Sequence, residues 1–428
     1  GIVAGLTGAK FKIDPMRFGL LRKPTLEGDV RFFVSAPKAW RKQGDESSNE
    51  LMPVDPPGVN YRGLRLHGDQ VLLTYEVLGA QVEEVCTEER QEDVVAIARH
   101  LRMEGLTEPL WLTLAEFPES PEICVEDDRA IATTTTSEAI SHAVVVRNAC
   151  GAVALEARGD DVGLAIEAES DWSGTALMWS GPCDQLDEFL KLARSCRVTA
   201  DFDSMRQPGP RRWGEPLVTT GSLGEEDGRA PFVIDTVEVP YENPYEALFF
   251  LSAFDFFPNG DAALCTAHGD VWIVRGLDDS LNHVIWQRFA TGLYQPLGLK
   301  IVDGSVIVLG RDQLTRLRDE NEDGEADVYE SFNHDLIIQG VDHAYAMRLE
   351  TDSEGNFYFL KSGSGPHGSA LLKVSADGSE LSVVARGFRH PYGMGIGPEG
   401  QITVADNEGN WVPSSKIDLI REGGFYGY

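Results

Sequence analysis

The sequence lacks features that would place it among membrane or nucleic-acid-binding proteins. None of its apolar runs approaches the roughly 18 residues that a membrane-spanning helix needs, so no transmembrane segment is predicted. Basic residues are few: 37 Lys and Arg stand against 69 Asp and Glu, which gives a formal net charge of −32. A chain of this charge repels phosphate backbones, and no nucleic-acid partner is therefore expected.

Cysteine pairs of the C-x-x-C type are also missing, which excludes a zinc ribbon, a dithiol redox motif and a haem-attachment motif within these 428 residues. The acidic balance suits a periplasmic or extracellular protein, a high-salt environment or a calcium binder, and equally a chain that charge keeps soluble. The hydrophobic content of 42% is sufficient for a real core. The six cysteines are Cys86, Cys124, Cys150, Cys183, Cys196 and Cys265.

A turn followed by a short apolar strand recurs four times in the second half of the chain. The turn glycines are Gly260, Gly304, Gly355 and Gly400, which are 44, 51 and 45 residues apart. Periods of roughly 40–50 residues with several short strands each are typical of β-propeller blades. The alternative is an ordinary β-sandwich with turns at chance spacing. Because turn, strand and spacing repeat together, the sequence favours an all-β fold with an incomplete propeller of about four blades over residues 236–428.

Residues 1–235 show no such repeat and predict a separate β-rich domain, for which we expect a sandwich architecture. The segment 59–77 alternates apolar and polar residues around His67-Gly68-Asp69, which predicts a hairpin. One helix is predicted over 184–194, and the segment 89–102 fits either a helix or a strand. Proline, glycine and charge concentrate from about Gln207 to Pro240, which predicts a linker there.

The two ends of the chain favour a fragment of a longer protein. It begins Gly-Ile-Val without an initiator Met or a signal peptide, and it ends in a glycine-rich turn. Propeller-like sequence covers only about 190 residues, whereas six blades at this period need about 270. We therefore expect the sequence to stop within a propeller, with unpaired strand edges that favour aggregation when it is expressed alone.

The acidic stretch from Asp319 to Glu330 matches the pattern D-x-[DN]-x-[DN]-G-x5-E of a calcium-binding loop. Calcium prefers six to eight oxygen ligands, and every ligand position of the pattern is filled. Because the flanks predict strands, we expect a calcium-stapled hairpin loop rather than an EF-hand; the alternative is a solvated acidic turn. The predicted ligands are the side chains of Asp319, Asn321 and Asp323, the backbone carbonyl of Glu325, Asp327 directly or through water, and Glu330 as the bidentate closing ligand.

A histidine in the sequence Val341-Asp-His-Ala-Tyr345 is the second candidate for chemistry. His343 precedes a predicted strand and would face the central channel of a propeller, where it can serve as a general base. Asp342 beside it would orient the ring or raise its pKa. On spacing alone the favoured interpretation is a packed, hydrogen-bonded histidine.

The chain from about Pro208 to Tyr428 resembles the β-propeller of the glucose/sorbosone dehydrogenase family, the soluble quinoprotein sugar dehydrogenases. The resemblance is carried by Phe254–Pro258, Gly269–Val274, Phe289–Leu293 with Pro296–Leu299, and Gly423–Gly427. More closely, the chain resembles large bacterial membrane-bound dehydrogenases in which a β-rich domain precedes the propeller and a c-type haem domain follows it. The resemblance thus covers nearly the whole chain, and any haem c would belong to a C-terminal domain beyond this sequence.

The resemblance implies roles for three residues. His343 corresponds to the catalytic base of the quinoprotein family, which takes the hydroxyl proton during hydride transfer to pyrroloquinoline quinone. Arg389 corresponds to the arginine that contacts the quinone oxygens, and His390 stands where these enzymes usually have Asn. The larger relatives usually have Glu where Ala344 stands. The implied function is oxidation of a sugar or other alcohol, with electrons passing towards a c-type cytochrome.

Two other classes of function stay open from the sequence. A non-catalytic propeller that binds glycan or protein, stabilised by calcium, needs none of the cofactor contacts. A metal-dependent propeller lactonase needs a Glu, an Asn and an Asp that converge on the central channel, and the sequence does not identify that set.

Overall fold

A computed structural model describes residues 58–148, 153–197, 199–225, 228, 232–337, 343–409 and 413–428, with the backbone of five short strands before residue 43. The chain divides into two compact units, Gly1–Gly209 and Pro210–Tyr428. Antiparallel strands dominate both units, so the predicted all-β class is confirmed. No helix of the described residues is long and apolar enough to cross a membrane.

The first unit contains sixteen strands among the described residues, followed by a short helical region. The helical region consists of a 3-10 turn at Cys183–Gln185 and the helices α1 (Leu186–Ser195) and α2 (Phe202–Met205). The strands are β1 (Gly5–Leu6), β2 (Lys10–Lys12), β3 (Thr25–Glu27), β4 (Phe32–Phe33), β5 (Trp40–Lys42), β6 (Val59–His67), β7 (Gln70–Val77), β8 (Ala80–Gln91), β9 (Val94–Glu104), β10 (Leu110–Glu116), β11 (Glu122–Glu126), β12 (Arg129–Thr135), β13 (Ile140–Arg147), β14 (Val153–Arg158), β15 (Asp161–Ile166) and β16 (Trp172–Pro182).

Two layers of sheet enclose the main core of the first unit. Eight of its strands follow one another in the order β11-β12-β13-β16-β9-β8-β7-β6, and a second sheet has the order β14-β15-β10-β5. Buried apolar side chains of both sheets, such as Leu112 and Val144, form one cluster. The other face of the larger sheet is covered by α1, where Phe189 stacks on Trp179 at 5.4 Å between ring centroids. This arrangement is a sandwich with one helix outside it.

The local predictions for the first unit are confirmed where a clear period exists. The predicted hairpin is the pair β6 and β7, whose strands meet at His67 and Gln70. The predicted helix is α1 with the 3-10 turn before it. The ambiguous segment 89–102 is strand, because β8 and β9 form a long hairpin whose apolar residues are buried.

The second unit contains four sheets of neighbouring antiparallel strands. The sheet orders are β17-β21-β20-β19-β18, then β22 to β25, β26 to β29, and β30-β31-β32. The strands are β17 (Leu217–Thr219), β18 (Leu251–Phe256), β19 (Ala262–Thr266), β20 (Val271–Arg275), β21 (Val284–Ala290), β22 (Gly298–Val302), β23 (Ser305–Leu309), β24 (Leu314–Arg318), β25 (Val328–Asn333), β26 (Ala346–Thr351), β27 (Phe357–Lys361), β28 (Ala370–Val374), β29 (Leu381–Arg386), β30 (Gly393–Ile396), β31 (Ile402–Asp406) and β32 (Lys416–Leu419).

These sheets have the topology of propeller blades. The first strands of successive blades, β18, β22, β26 and β30, contact one another in that order. Each of the four predicted glycine turns joins the first strand of a blade to the second. Their φ angles lie between 78° and 91°, a region that favours glycine because it has no Cβ. The described part of the second unit is therefore an arc of four blades, as the repeat predicted.

The division between the units falls at Gly209 instead of near residue 235. The segment predicted as a linker contributes β17, which pairs with β21 on the outer edge of the first blade. Backbone N–H groups of Arg212 and Trp213 also donate to the carboxylate of Glu325, at 2.8 and 3.1 Å. The composition of this segment is typical of a linker, but hydrogen bonds to distant residues fix it in the second unit.

One face of the first blade exposes large apolar side chains. Phe250, Phe254 and Phe256 are 63%, 66% and 54% exposed, and Phe254 and Phe256 contact each other edge to face. Phe254 and Phe256 border a groove of about 440 Å³ that reaches Leu264 and Trp286. A contiguous apolar patch of this kind favours association in water.

We therefore predict that the double substitution Phe254→Ser/Phe256→Ser lowers the self-association of the 428-residue protein. Sedimentation velocity across a range of concentrations measures the effect. Val125→Ser is the matched control, because Val125 is 70% exposed on a strand of the first unit and does not line this groove. Equal association of wild type and double variant would show that the phenylalanines do not drive it.

Candidate functional site

A buried carboxylate organises the loop that carries two of the predicted site residues. Asp406 ends β31 and is 2% exposed. It accepts hydrogen bonds from the backbone N–H groups of Arg389 at 2.9 Å, His390 at 3.0 Å and Asn407 at 3.0 Å. Charge-assisted bonds to backbone donors are stronger than neutral ones. The loop between β29 and β30 is therefore fixed by the end of the next blade's second strand.

The structure brings two of the predicted residues side by side. The ring centroids of His343 and His390 lie 5.5 Å apart, with the ring planes at 88° to each other. His343 is exposed, and His390 is half-buried. Burial, the charge of Arg389 and His343 lower the pKa of His390 below its ordinary value, while Asp406 opposes this. A histidine with a lowered pKa is neutral at pH 7, so one ring nitrogen of His390 is free to accept a proton or a hydrogen bond.

Arg389 belongs to the same loop, but its guanidinium already has partners. Its Nη1 donates to the backbone carbonyl of Glu408 at 2.6 Å and lies 3.9 Å from the Glu408 carboxylate. Since a guanidinium has five N–H donors, these contacts leave part of its capacity for a ligand. Asp342, which the sequence proposed as the partner of His343, lies outside the described residues.

A lysine that the sequence analysis did not single out binds the backbone of the residue after His343. Lys361 ends β27, is 1% exposed, and donates from Nζ to the backbone carbonyl of Ala344 at 2.8 Å. Burial and, less strongly, the charge of Arg311 lower its pKa to about 8. Arg311 is itself 4% exposed and donates to Gln295 at 2.8 Å. The sequence signal that could have identified Lys361 is its position directly after the apolar run Phe357 to Leu360, because a lysine is seldom buried there without a specific partner.

The acidic loop that predicted calcium is folded into a tight turn. Asp319 accepts the N–H groups of Asp323 at 3.2 Å and Gly324 at 2.8 Å, and Asp323 accepts that of Glu325 at 2.9 Å. Asn321 bonds to both the backbone and the carboxylate of Asp323. An ionised carboxylate has about four lone-pair sites, so these bonds do not exhaust its oxygens. The first three predicted ligands therefore lie together around one turn.

The predicted closing ligand is not in that turn. Glu330 lies in β25 opposite Arg316 of β24, and its carboxylate is 3.3 Å from Arg316 and 3.8 Å from Arg318. Strand pairing gives Glu330 arginine partners in place of the loop path that the pattern assumed, and its role as the closing ligand stays a prediction. Asp327 caps the N–H of Glu320 at 2.9 Å. Among the described residues no three His, Cys, Asp or Glu side chains are grouped to hold a metal ion.

Glu325 has a structural task that the motif did not indicate. Its side chain is 3% exposed, and it binds the Arg212 and Trp213 backbone described above. Arg211 and Arg212 also approach it, each at 3.6 Å. Through this side chain the acidic loop anchors the start of the second unit, independently of any ligand bound by the Glu325 backbone carbonyl.

Comparison with known proteins gives one family match and several similar structures. A family model described as a domain of unknown function (DUF6797) matches residues 1–84, less than half of the chain. The search of curated proteins found no match to this chain.

Two solved structures illustrate the likeness, and both are distant. A glucose dehydrogenase-type oxidoreductase of Thermus thermophilus is 16% identical at a TM-score of 0.35, over 42% of this chain and 64% of that one. The aldose sugar dehydrogenase of Streptomyces coelicolor, in its PQQ-bound form, is 15% identical at 0.34, over 42% of this chain and 63% of that one. This chain thus covers less than two thirds of the length of either protein. At TM-scores below 0.5 their activities are not transferred to it.

The buried ammonium of Lys361 predicts a specific dependence of stability on pH. Its pKa of about 8 in the folded protein lies below the ordinary value of 10.5. Between these values the unfolded chain binds the extra proton, so raising the pH favours the folded state. We predict that the free energy of unfolding of wild type, relative to Lys361→Met, rises by roughly 1–3 kcal/mol from pH 8 to 10.5.

Urea denaturation of both proteins at several pH values in this window measures that difference. Groups that titrate in the same way in both proteins do not contribute to the difference. Lys373→Met, on the neighbouring strand β28, shows what loss of another lysine does to the same curve. A difference between wild type and Lys361→Met that stays constant with pH would mean that burial does not perturb Lys361.

Proposed function

We propose that the second unit is the propeller of a dehydrogenase that oxidises a sugar or another alcohol, with His343 as the base. The observation that carries the proposal is the pairing of His343 with His390 on the loop that Asp406 fixes. The two residues are 47 positions apart, and they belong to loops that precede neighbouring blades. An exposed imidazole beside a neutral one suits removal of a hydroxyl proton.

The residues around His343 suit an anionic cofactor of the quinone class. Lys361, Arg311 and Arg389 concentrate positive charge here in a chain of net charge −32. Arg389 and His390 would hold the cofactor, and pyrroloquinoline quinone, when bound, supplies a two-electron acceptor. The chain's own contribution is to take the alcohol proton at His343 and to place positive charge where negative charge develops. A c-type cytochrome as the electron acceptor and a periplasmic or extracellular location belong to the same proposal.

The matched pair His343→Ala and His283→Ala tests the catalytic role. His283 is an exposed histidine of the first blade, so its loss controls for general effects of removing an imidazole. With pyrroloquinoline quinone, Ca²⁺ and a redox dye, we expect His343→Ala to lower kcat by roughly 10²–10⁴ and His283→Ala to leave it unchanged. Thermal unfolding is measured alongside to show that both variants fold.

A non-catalytic propeller that binds glycan or protein is the second candidate. The contacts of Arg389 with Glu408 favour it, because they occupy part of the guanidinium that a quinone would need. If the wild-type protein reduces no dye with a panel of aldoses and alcohols and binds no quinone, the dehydrogenase proposal fails and this candidate replaces it.

We further propose that the acidic turn binds Ca²⁺ through Asp319, Asn321, Asp323, Asp327 and the carbonyl of Glu325, with water in place of Glu330. Support comes from the three neighbouring side chains of the turn: each carboxylate oxygen of Asp319 and Asp323 accepts one hydrogen bond and has a second lone-pair site for a metal ion. The proposed site differs from the sequence pattern in leaving Glu330 to its arginines.

We predict that Ca²⁺ raises the melting temperature of the second unit and that Asp323→Ala abolishes the rise. At a hundredfold excess over Kd the stabilisation is about 2.7 kcal/mol, or on the order of 5–10 °C. Glu330→Gln is the discriminating variant and should keep most of the rise. Scanning calorimetry measures the rise in melting temperature for each protein, with Ca²⁺ and, for comparison, with Mg²⁺. A melting curve that Ca²⁺ does not move contradicts the site, and loss of the rise in Glu330→Gln contradicts its ligand set.

A further inference from the structure

The peptide that carries His343 lies beyond the regular hydrogen bonds of its sheet. Strand β26 begins at Ala346, which pairs with Lys361 at the end of β27. His343, Ala344 and Tyr345 precede that strand, so their backbone groups need other partners. Ala344 is fully buried, and an unpaired carbonyl there would be costly.

Two consecutive residues of the neighbouring strand end supply those partners. The hydroxyl of Ser362 donates to the carbonyl of His343 and accepts the N–H of Tyr345 at 2.9 Å. The N–H of Ser362 donates to the carbonyl of Tyr345 at 2.9 Å. The ammonium of Lys361 donates to the carbonyl of Ala344, which lies between His343 and Tyr345 in the chain, at 2.8 Å. Every carbonyl from 343 to 345 is thus held by Lys361 or Ser362.

Burial makes these bonds consequential. Lys361 and Ser362 are 1% and 0% exposed, so water does not replace a lost bond without rearrangement. A hydrogen bond in such surroundings is electrostatically stronger than in water. A buried ammonium near the second cation Arg311 is an unfavourable choice for stability alone. Its position is explained if its task is to fix the loop that presents His343.

We propose that Lys361 and Ser362 are positioning residues for His343, because together they fix the backbone of residues 343–345 and so the place of the imidazole beside His390. The catalytic consequence rests on the proposed function, whereas the positioning itself does not. A base displaced by about 1 Å loses roughly a hundredfold in rate, so a small shift of this loop is measurable.

The first test does not involve turnover. Histidine-selective isotope labelling gives the nuclear Overhauser effect between the rings of His343 and His390, whose centroids are 5.5 Å apart in the folded protein. We expect Ser362→Ala and Lys361→Met each to weaken this signal, and Ser331→Ala to leave it unchanged. Ser331 is the matched control because its half-buried hydroxyl bonds to Gln313 and His334 within the second blade, and not to residues 343–345.

The second test measures kcat and KM separately, in any assay in which the wild-type protein is active. We expect Ser362→Ala to lower kcat about 10- to 100-fold with little change in KM, because the charged groups around the site stay in place while the base moves. Ser362→Ala removes a single atom and keeps the proposal testable if Lys361→Met fails to fold. A ring-to-ring signal of wild-type strength in Ser362→Ala overturns the proposal. The two proposals can fail separately. If the wild-type protein shows no activity but the variants lose the ring-to-ring signal, the positioning role of Lys361 and Ser362 stands and only the proposed dehydrogenase function is refuted.

Discussion

The candidate site depends on the carboxylate of Asp406. It is the buried end of strand β31, and it accepts three backbone N–H groups from two different loops. A buried charge is tolerated only when such donors compensate for its lost water. Those donors fix Arg389 and His390 relative to the fourth blade. The position of His390 beside His343 follows from that constraint together with the packing of the third and fourth blades.

Charge is distributed unevenly between the surface and this site. The chain carries a large excess of carboxylates, yet Lys361 and Arg311 contact the residues that follow His343, and Arg389 precedes His390. Two of these cations are almost completely buried. Buried cations reduce stability unless they bind well-placed acceptors, and Lys361 binds one carbonyl. Residues that break the local rules of stability occur most often at functional sites. The cations and the two histidines therefore form the most informative group in the second unit.

The acidic loop shows how one segment serves two demands. Its first half forms a compact turn in which Asp319 and Asp323 cap backbone donors. Its second half runs into β25, where cross-strand pairing turns Glu330 to Arg316. The buried Glu325 between them binds the start of the unit. A pattern of ligand spacings records none of these tertiary contacts, since it treats each carboxylate as free for the metal.

What the sequence determined by itself was local. Alternating apolar residues fixed the strands and the hairpin of β6 and β7, and glycines at positive φ fixed the turns of the four blades, because both depend on neighbours a few residues away. The all-β class and the blade repeat followed from these. Only the tertiary structure decided which residues meet: that β17 joins the second unit, that Glu330 pairs with arginines, and that Lys361 and Ser362 hold the loop of His343. Lys361 and Ala344 are 17 positions apart, and Glu330 is 14 and 12 positions from Arg316 and Arg318. Such contacts are set by blade packing and strand register, which no single stretch of sequence encodes.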